Sequence, residues 1–275
     1  MILLEHEHEP IVERIIHRLV RKHIAGTTME SALDAAKSLG GKNMGASITF
    51  LSSNVLDKPK ARYITTTYSE LVRRIGRSGI KASVQVPLEQ IGGVIDEGTA
   101  LENLEEIMAV SGKYGVFVWI DPDGLGSRIA PKALARRKGA GLAISESESG
   151  AYAKYGRALG CVKLMFKDYK PMNAGEAVKR LAEERKTYRN LVLSHPPEEM
   201  LREVLKSKDR AGISIEVALG YSRRRIGRVV KKGIAVSTLV PFGKDWIKYA
   251  MNNVPEGYMR FVAGKLLKEG GGNVA

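Results

Sequence analysis

The sequence predicts an α/β fold, a (β/α)8 barrel, and three observations predict it. Strand-like and helix-like segments alternate along nearly the whole chain, at about 30-residue spacing. Glycine precedes or opens most of the strands, as it does after a helix C-terminus. Eight such strands fit in 275 residues, which suits a closed barrel better than an open sheet.

The elements follow in order. "GASITFLS" (45–52) reads as a buried strand after the helical pattern "TMESALDAAKSLG". "IKASVQV" (80–86) follows "TTYSELVRRIGRSG", and "GVFVWID" (115–121) follows "TALENLEEIMAVSGKY". "GAGLAIS" (139–145) and "GCVKLMF" (160–166) flank a helix carrying Tyr152 and Tyr155. "NLVLSH" (190–195) follows "NAGEAVKRLAEERKTY", and "GISIEVAL" (212–219) follows "PEEMLREVLKSKD". "GIAVSTLVPFG" (233–243) follows the basic helix "SRRRIGRVVKK". No Pro/Ser/Gly linker interrupts the series, so residues 25–275 are read as one barrel domain. Residues 1–24 form an N-terminal extension, with a basic amphipathic helix over 9–24.

Composition bounds the function. At 44% hydrophobic and 27% charged residues the chain is globular rather than disordered. The lone cysteine, Cys161, excludes a disulfide framework and a thiolate metal cluster, and its apolar context marks it as a core residue. The "EHEH" run (5–8) has no second ligand cluster to complete it, so no metal site is expected. No apolar run reaches the ~18 residues of a membrane span, and "MILLEHEHEP" is too short and acidic for a signal peptide. These features predict a soluble cytoplasmic protein with no membrane partner.

Net charge is the outlier. Forty-four basic residues against thirty acidic ones give +14, which suits a polyanion partner. A lysine- and arginine-rich thermophile surface is the plainer explanation.

In a barrel, chemistry belongs at the C-terminal ends of the strands. Asp121, Ser145, Ser194 and His195 fall there, with Glu216 near the end of the seventh strand. The set shows neither a nucleophile–base pair at recognisable spacing nor a phosphate-loop signature.

From Ala25 to Leu267 the order and wording of the segments resemble the proline dehydrogenase family, FAD-dependent (β/α)8 enzymes. "AGTTMESALDAAKSLGGKNMGASITFLSSNV" is similar to the family's opening, and "ALENLEEIMAVSGKYGVFVWIDPD" to its third unit, which ends in an aspartate, here Asp121. "LVLSHPPEEML" resembles the sixth strand and its Thr-His-Asp turn, and "VPFGKDWIKYAMNNVPE" the last strand and helix.

The functional positions depart from the family. Its last helix carries Tyr-x-x-Arg-Arg-x-x-Glu, whose arginines clamp the proline carboxylate. Here Tyr249 and Glu256 remain, but the arginines are Asn252 and Asn253. The family's tyrosine on the last strand falls at Leu239 and its second-strand lysine at Pro87. The flavin-contacting run Arg-Leu-Val-Lys-Gly-Ala-Tyr reads Lys163 to Tyr169, with Phe166, Lys167 and Asp168 in place of the second basic residue and the Gly-Ala pair. The sixth-strand turn is Ser194-His195-Pro196, and Leu-Tyr-Gly after the seventh strand is Ala218-Leu219-Gly220. The resemblance therefore implies a divergent, non-catalytic member. Asp121, Tyr249 and Glu256 are vestigial catalytic candidates, and Lys163 and His195 vestigial cofactor-binding ones. Survivors such as Asp121 and His195 can equally serve structure at the barrel mouth.

Basic clusters supply the alternative role. In "SRRRIGRVVKK", Ile226, Val229 and Val230 lie at helical spacing to face the barrel. This leaves Arg223, Arg224, Arg225, Arg228, Lys231 and Lys232 outward. Arg136, Arg137 and Lys138 form a second cluster and Arg73 and Arg74 a third. The reading favoured by the sequence is a pseudoenzyme that binds RNA through these outer helices. It would be a component or associate of a ribonucleoprotein such as the ribosome, with protein partners there and no cofactor. The alternative is an FAD-dependent oxidoreductase, a divergent proline dehydrogenase acting on proline or another small amine.

Overall fold

Most strand sequences alternate apolar and polar or small residues with a period of two, and in a closed sheet that period separates two environments. A computed structural model describes residues 23–52, 55–122, 138–150, 152, 161–166, 174–188, 190–206, 212–220 and 223–245. In chain order the elements are α1 (Met29–Gly40), β1 (Gly45–Phe50), α2 (Lys58–Ser78), β2 (Ala82–Pro87), α3 (Glu97–Tyr114), β3 (Val118–Asp121), β4 (Ala140–Ser145) and β5 (Cys161–Met165). Then come α4 (Ala174–Thr187), β6 (Asn190–Ser194), α5 (Glu198–Lys206), β7 (Ile213–Ala218), α6 (Arg223–Lys231) and β8 (Ala235–Phe242). Short 3-10 turns follow β2 at Leu88–Ile91 and β4 at Glu146–Glu148.

All eight expected strands form, and they close a parallel barrel in sequence order, with β8 pairing back onto β1. Closure is tight at the strand ends. Gly243 has φ 135°, and a Cβ there would meet the Leu51 carbonyl oxygen at 2.5 Å. Residues before β1 are drawn to the same edge: the Ala25 amide donates to the Pro241 carbonyl at 2.9 Å. The rest of the 9–24 helix expected from the sequence lies outside the described residues, apart from His23 and Ile24.

The helices start where local chemistry starts them. Thr28, Asp57 and Asp96 adopt extended backbone, and their side chains accept the amide hydrogens of Ser31, Lys60 and Thr99. Gly79 and Gly115 end α2 and α3 in the left-handed conformation, which turns the chain into the next strand.

The outer layer, between sheet and helices, holds the main core. Ile48, Val84, Val86, Val118, Ile120, Leu142 and Ile144 point outward from the strands and pack with Ile64, Leu71, Leu104 and Ile107 from α2 and α3. Phe166 belongs to this layer too. Each such side chain contributes about 1.5–3 kcal/mol on burial. Inside the barrel a smaller apolar cluster comprises Trp119, Ala143, Met165 and Val192, with Phe117 and the half-buried Cys161 against it.

Candidate active site

The residues that alternate with the outer core point into the lumen, and there the barrel is polar. Lys163 stands mid-strand in β5 and is completely buried. Its ammonium donates to Glu216 Oε2 on β7 at 2.7 Å, to Gln85 Oε1 on β2 at 3.0 Å and to Ser47 Oγ on β1 at 3.0 Å. Three donors meet three acceptors, so the ammonium is saturated. Its Nζ also lies 4.7 Å from the Trp119 ring centroid, a cation–π contact. Gly141 makes room for that ring: a Cβ there would meet Trp119 at 2.6 Å.

The network extends in two directions toward the mouth. Gln85 Nε2 donates to Asp121 Oδ2 at 2.9 Å, at the end of β3. On the far side, Ser194 Oγ donates to Glu216 Oε1 at 2.8 Å, at the end of β6. Ser194 has one hydroxyl hydrogen, and Glu216 takes it. The 3.0 Å contact between Ser194 Oγ and His195 Nδ1 therefore runs from the ring to the hydroxyl. His195 carries its proton on Nδ1, which leaves Nε2 as the basic nitrogen. A chain of hydrogen bonds thus runs Asp121–Gln85–Lys163–Glu216–Ser194–His195.

Burial sets the charge states. It pushes the Lys163 pKa down, while Glu216 and then Asp121 pull it back up. Burial likewise lowers the His195 pKa, against an opposing pull from Glu216. His195 also sits at φ 56°, in the left-handed region that non-glycine residues seldom occupy. Its amide is held by the Glu216 carbonyl at 2.9 Å. Beyond the strands, the ring caps an apolar cavity of about 80 Å³ between β7, β8, α5 and α6, walled by Leu201, Val217 and Val229. His23 approaches from the N-terminal side, its Nδ1 2.6 Å from the Leu219 carbonyl oxygen.

Among the residues singled out from the sequence, Asp121, Lys163 and His195 are brought into one network. Tyr249 and Glu256 lie outside the described residues, as do Arg136 and Arg137. The remaining basic residues are spread over different elements and both ends of the barrel. Arg223, Arg224 and Arg225 form the first turn of α6, at the mouth end, while Lys231 and Lys232 lie at the opposite end. Arg228 is exposed, 4.0 Å from Glu198. Arg73 and Arg74 are only partly exposed and pair with Glu70 at 3.3 Å and Glu30 at 2.5 Å. Lys138 is exposed in the turn before β4. Gln85 and Ser47 joined the site without having been singled out, and Glu216 was noted only as a strand-end residue. Among the described residues no cluster of three or more His, Cys, Asp or Glu side chains is placed to hold a metal, and no helix is long and apolar enough to cross a membrane.

Comparison with known proteins places this barrel. No family model matches the chain. It is 28% identical over 101 residues to proline dehydrogenase 1 of Bacillus subtilis, a match spanning 37% of this chain and 33% of that protein. It is 22% identical to proline dehydrogenase of Deinococcus radiodurans over 90% of this chain and 89% of that one. Among solved structures, proline utilization A from Bdellovibrio bacteriovorus superimposes with a TM-score of 0.69 at 13% identity, over 91% of this chain and 34% of that one. Proline utilization A from Bradyrhizobium japonicum gives 0.66 at 16% identity, over 86% and 30%. The chain thus spans about a third of the length of several proteins it matches and nearly all of one. With the strand order, the closed barrel and these matches together, the chain is a (β/α)8 barrel similar in sequence and fold to proline dehydrogenases.

Proposed function

We propose that the chain is an oxidoreductase of the proline-dehydrogenase type whose substrate is a small amine other than proline. The observation that carries this reading is the buried network from Asp121 through Lys163 and Glu216 to His195. A barrel kept only as a scaffold gains nothing from a buried ion pair. Apolar replacements of similar volume are often neutral or more stable. Buried charged groups that converge beneath the strand C-termini, with burial and partners acting on their pKa values, mark a functional-site candidate.

The lumen fits FAD as a charged floor and not as a hydrogen-bonding cradle. The ammonium of Lys163 acts through its field, because its three hydrogens are already engaged. Asp121 and His195, at the strand ends, are the described residues that would border the cofactor, with Lys163 beneath them. FAD, when bound, supplies the acceptor for the two electrons that leave the amine carbon as hydride. The chain handles the proton. His195, neutral because it is buried, takes it from the substrate ammonium on Nε2. Glu216, reached through Ser194, stabilises the imidazolium that forms. Asp121 offers a fixed negative charge to a cationic amine. The missing arginines at Asn252 and Asn253 direct specificity away from an α-carboxylate, since losing one desolvated ionic contact costs about 2–5 kcal/mol.

The test is to incubate the full chain with FAD, remove free cofactor, and add proline or pyrrolidine without oxygen. Retained flavin absorbance that bleaches with pyrrolidine and not with proline is expected. A colourless protein after reconstitution would rule the reading out.

The net charge of +14 favours a second reading, in which the barrel also binds RNA. Retention of labelled RNA at low salt and its release at high salt is the corresponding assay.

A further inference from the structure

The positive charge is not spread evenly over the barrel. Helices run antiparallel to the strands, so their last turns and the connections into the next strand lie at the end opposite the Lys163–His195 mouth. The described helix-to-strand connections are residues 41–44, 79–81, 115–117, 138–139, 188, 212 and 232–234, and none of these residues is acidic. They carry Lys42, Lys81, Lys138 and Lys232, all exposed. Lys113 and Lys186, in the last turns of α3 and α4, add two more exposed ammonium groups. At the other end Glu30, Glu97, Glu176, Glu198 and Glu199 occupy first turns, while the two acids in last turns, Glu184 and Glu203, are engaged by Arg180 and Lys206. Helix dipoles favour this sorting within the terminal turns. They do not require the described residues leading into the strands to be free of carboxylates.

We propose that this N-terminal face of the barrel docks the phosphate backbone of folded RNA; the proposal rests on the RNA-binding reading above. It moves the contact from the outer helix faces, where Arg73 and Arg74 are already paired with Glu70 and Glu30, to a face whose lysines come from four separate connections into the strands. Lysine point charges without aromatic platforms suit sequence-independent phosphate contact. A membrane surface is the poorer fit. Of the exposed large apolar residues, Leu56, Tyr63 and Val94 stand in the strand-to-helix segments and early α2, away from the lysines, and Val230 alone lies beside Lys231 and Lys232, too little apolar surface for membrane insertion. Duplex DNA is poorer too, because the face is built of short connections and presents no recognition helix for a major groove.

The experiment measures anisotropy of a labelled RNA hairpin with the full chain across salt, for two charge-reversal variants. Lys42→Glu/Lys81→Glu/Lys138→Glu alters the proposed face, and Arg223→Glu/Arg224→Glu/Arg225→Glu alters the mouth end of α6. Binding is expected to weaken about tenfold or more in the first variant, with a shallower salt slope, and to change little in the second. A Lys→Gln version of the first variant, with unchanged melting, should show a smaller loss in the same direction. Loss in the α6 variant alone would overturn this surface and leave the RNA reading standing. No salt-sensitive binding by the unaltered chain would overturn both. Equal affinity for duplex DNA, or binding to anionic vesicles without binding to RNA, would overturn the choice of partner.

Discussion

The two sides of the same sheet are built on opposite principles. Toward the helices, β2, β3, β5 and β7 present Val84, Val86, Val118, Ile120, Val162, Leu164, Ile215 and Val217, and the layer is apolar. Toward the lumen, the same four strands present Gln85, Asp121, Lys163 and Glu216, all buried. Barrel interiors are ordinarily filled with branched apolar side chains. The outer layer explains why the chain folds. The lumen buries charge where apolar packing is the rule, and the proposed function assigns those residues to chemistry and the outer layer to the fold.

That separation can be broken from either side. The largest effect is expected from Glu216→Ala, which leaves Lys163 buried without its carboxylate. Urea unfolding should show a loss of about 3–5 kcal/mol. Leu104→Ala in the outer layer should cost about 2–5 kcal/mol through the cavity it opens, with no effect on flavin binding. Equal damage to flavin binding from both substitutions would erase the distinction. Gly141→Ala pushes a methyl into the Trp119 ring and should cost about 1–3 kcal/mol in the same assay.

A smaller effect sharpens the comparison through pH. The folded-state pKa of His195 lies below its ordinary value of 6.5, so below pH 6.5 the unfolded chain binds the extra proton first. Stability from this group is complete above 6.5 and falls as the pH drops toward the folded-state value, at no more than about 1.4 kcal/mol per pH unit. Melting of His195→Asn should lack that slope, and an unchanged slope would place the titration elsewhere.

The barrel was legible because its signals are local. Threonine and aspartate caps, glycines at helix ends and apolar strand runs each act within a few residues, and all eight strands fell where those signals put them. The lumen was legible in part. Lys163 in "CVKLM" and Glu216 in "ISIEVA" are ionisable residues at inward positions of buried strands, a visible anomaly. Their pairing is a property of the barrel, which brings β5 and β7, with β6 between them, to one polar centre from 53 residues apart. Gln85 and Ser47 carry no charge to mark them, and only the register shows that they share Lys163. The basic residues are grouped differently by sequence and by fold. Sequence clusters group neighbours along a helix, whereas the lysine face collects single residues from separate connections. The family pattern at their positions marks Lys163 and His195 as vestigial, and the structure adds that one hydrogen-bonded network joins them.

The most direct test of the central claim pairs Lys163→Met/Glu216→Gln with the unaltered chain, measuring unfolding free energy and flavin retention on the same samples. If the lumen is kept for chemistry, the double variant will match or exceed the parent in stability and lose flavin-dependent amine oxidation. A double variant that is several kcal/mol less stable, yet still binds flavin and turns over amines as the parent does, would contradict that claim and return the network to the fold.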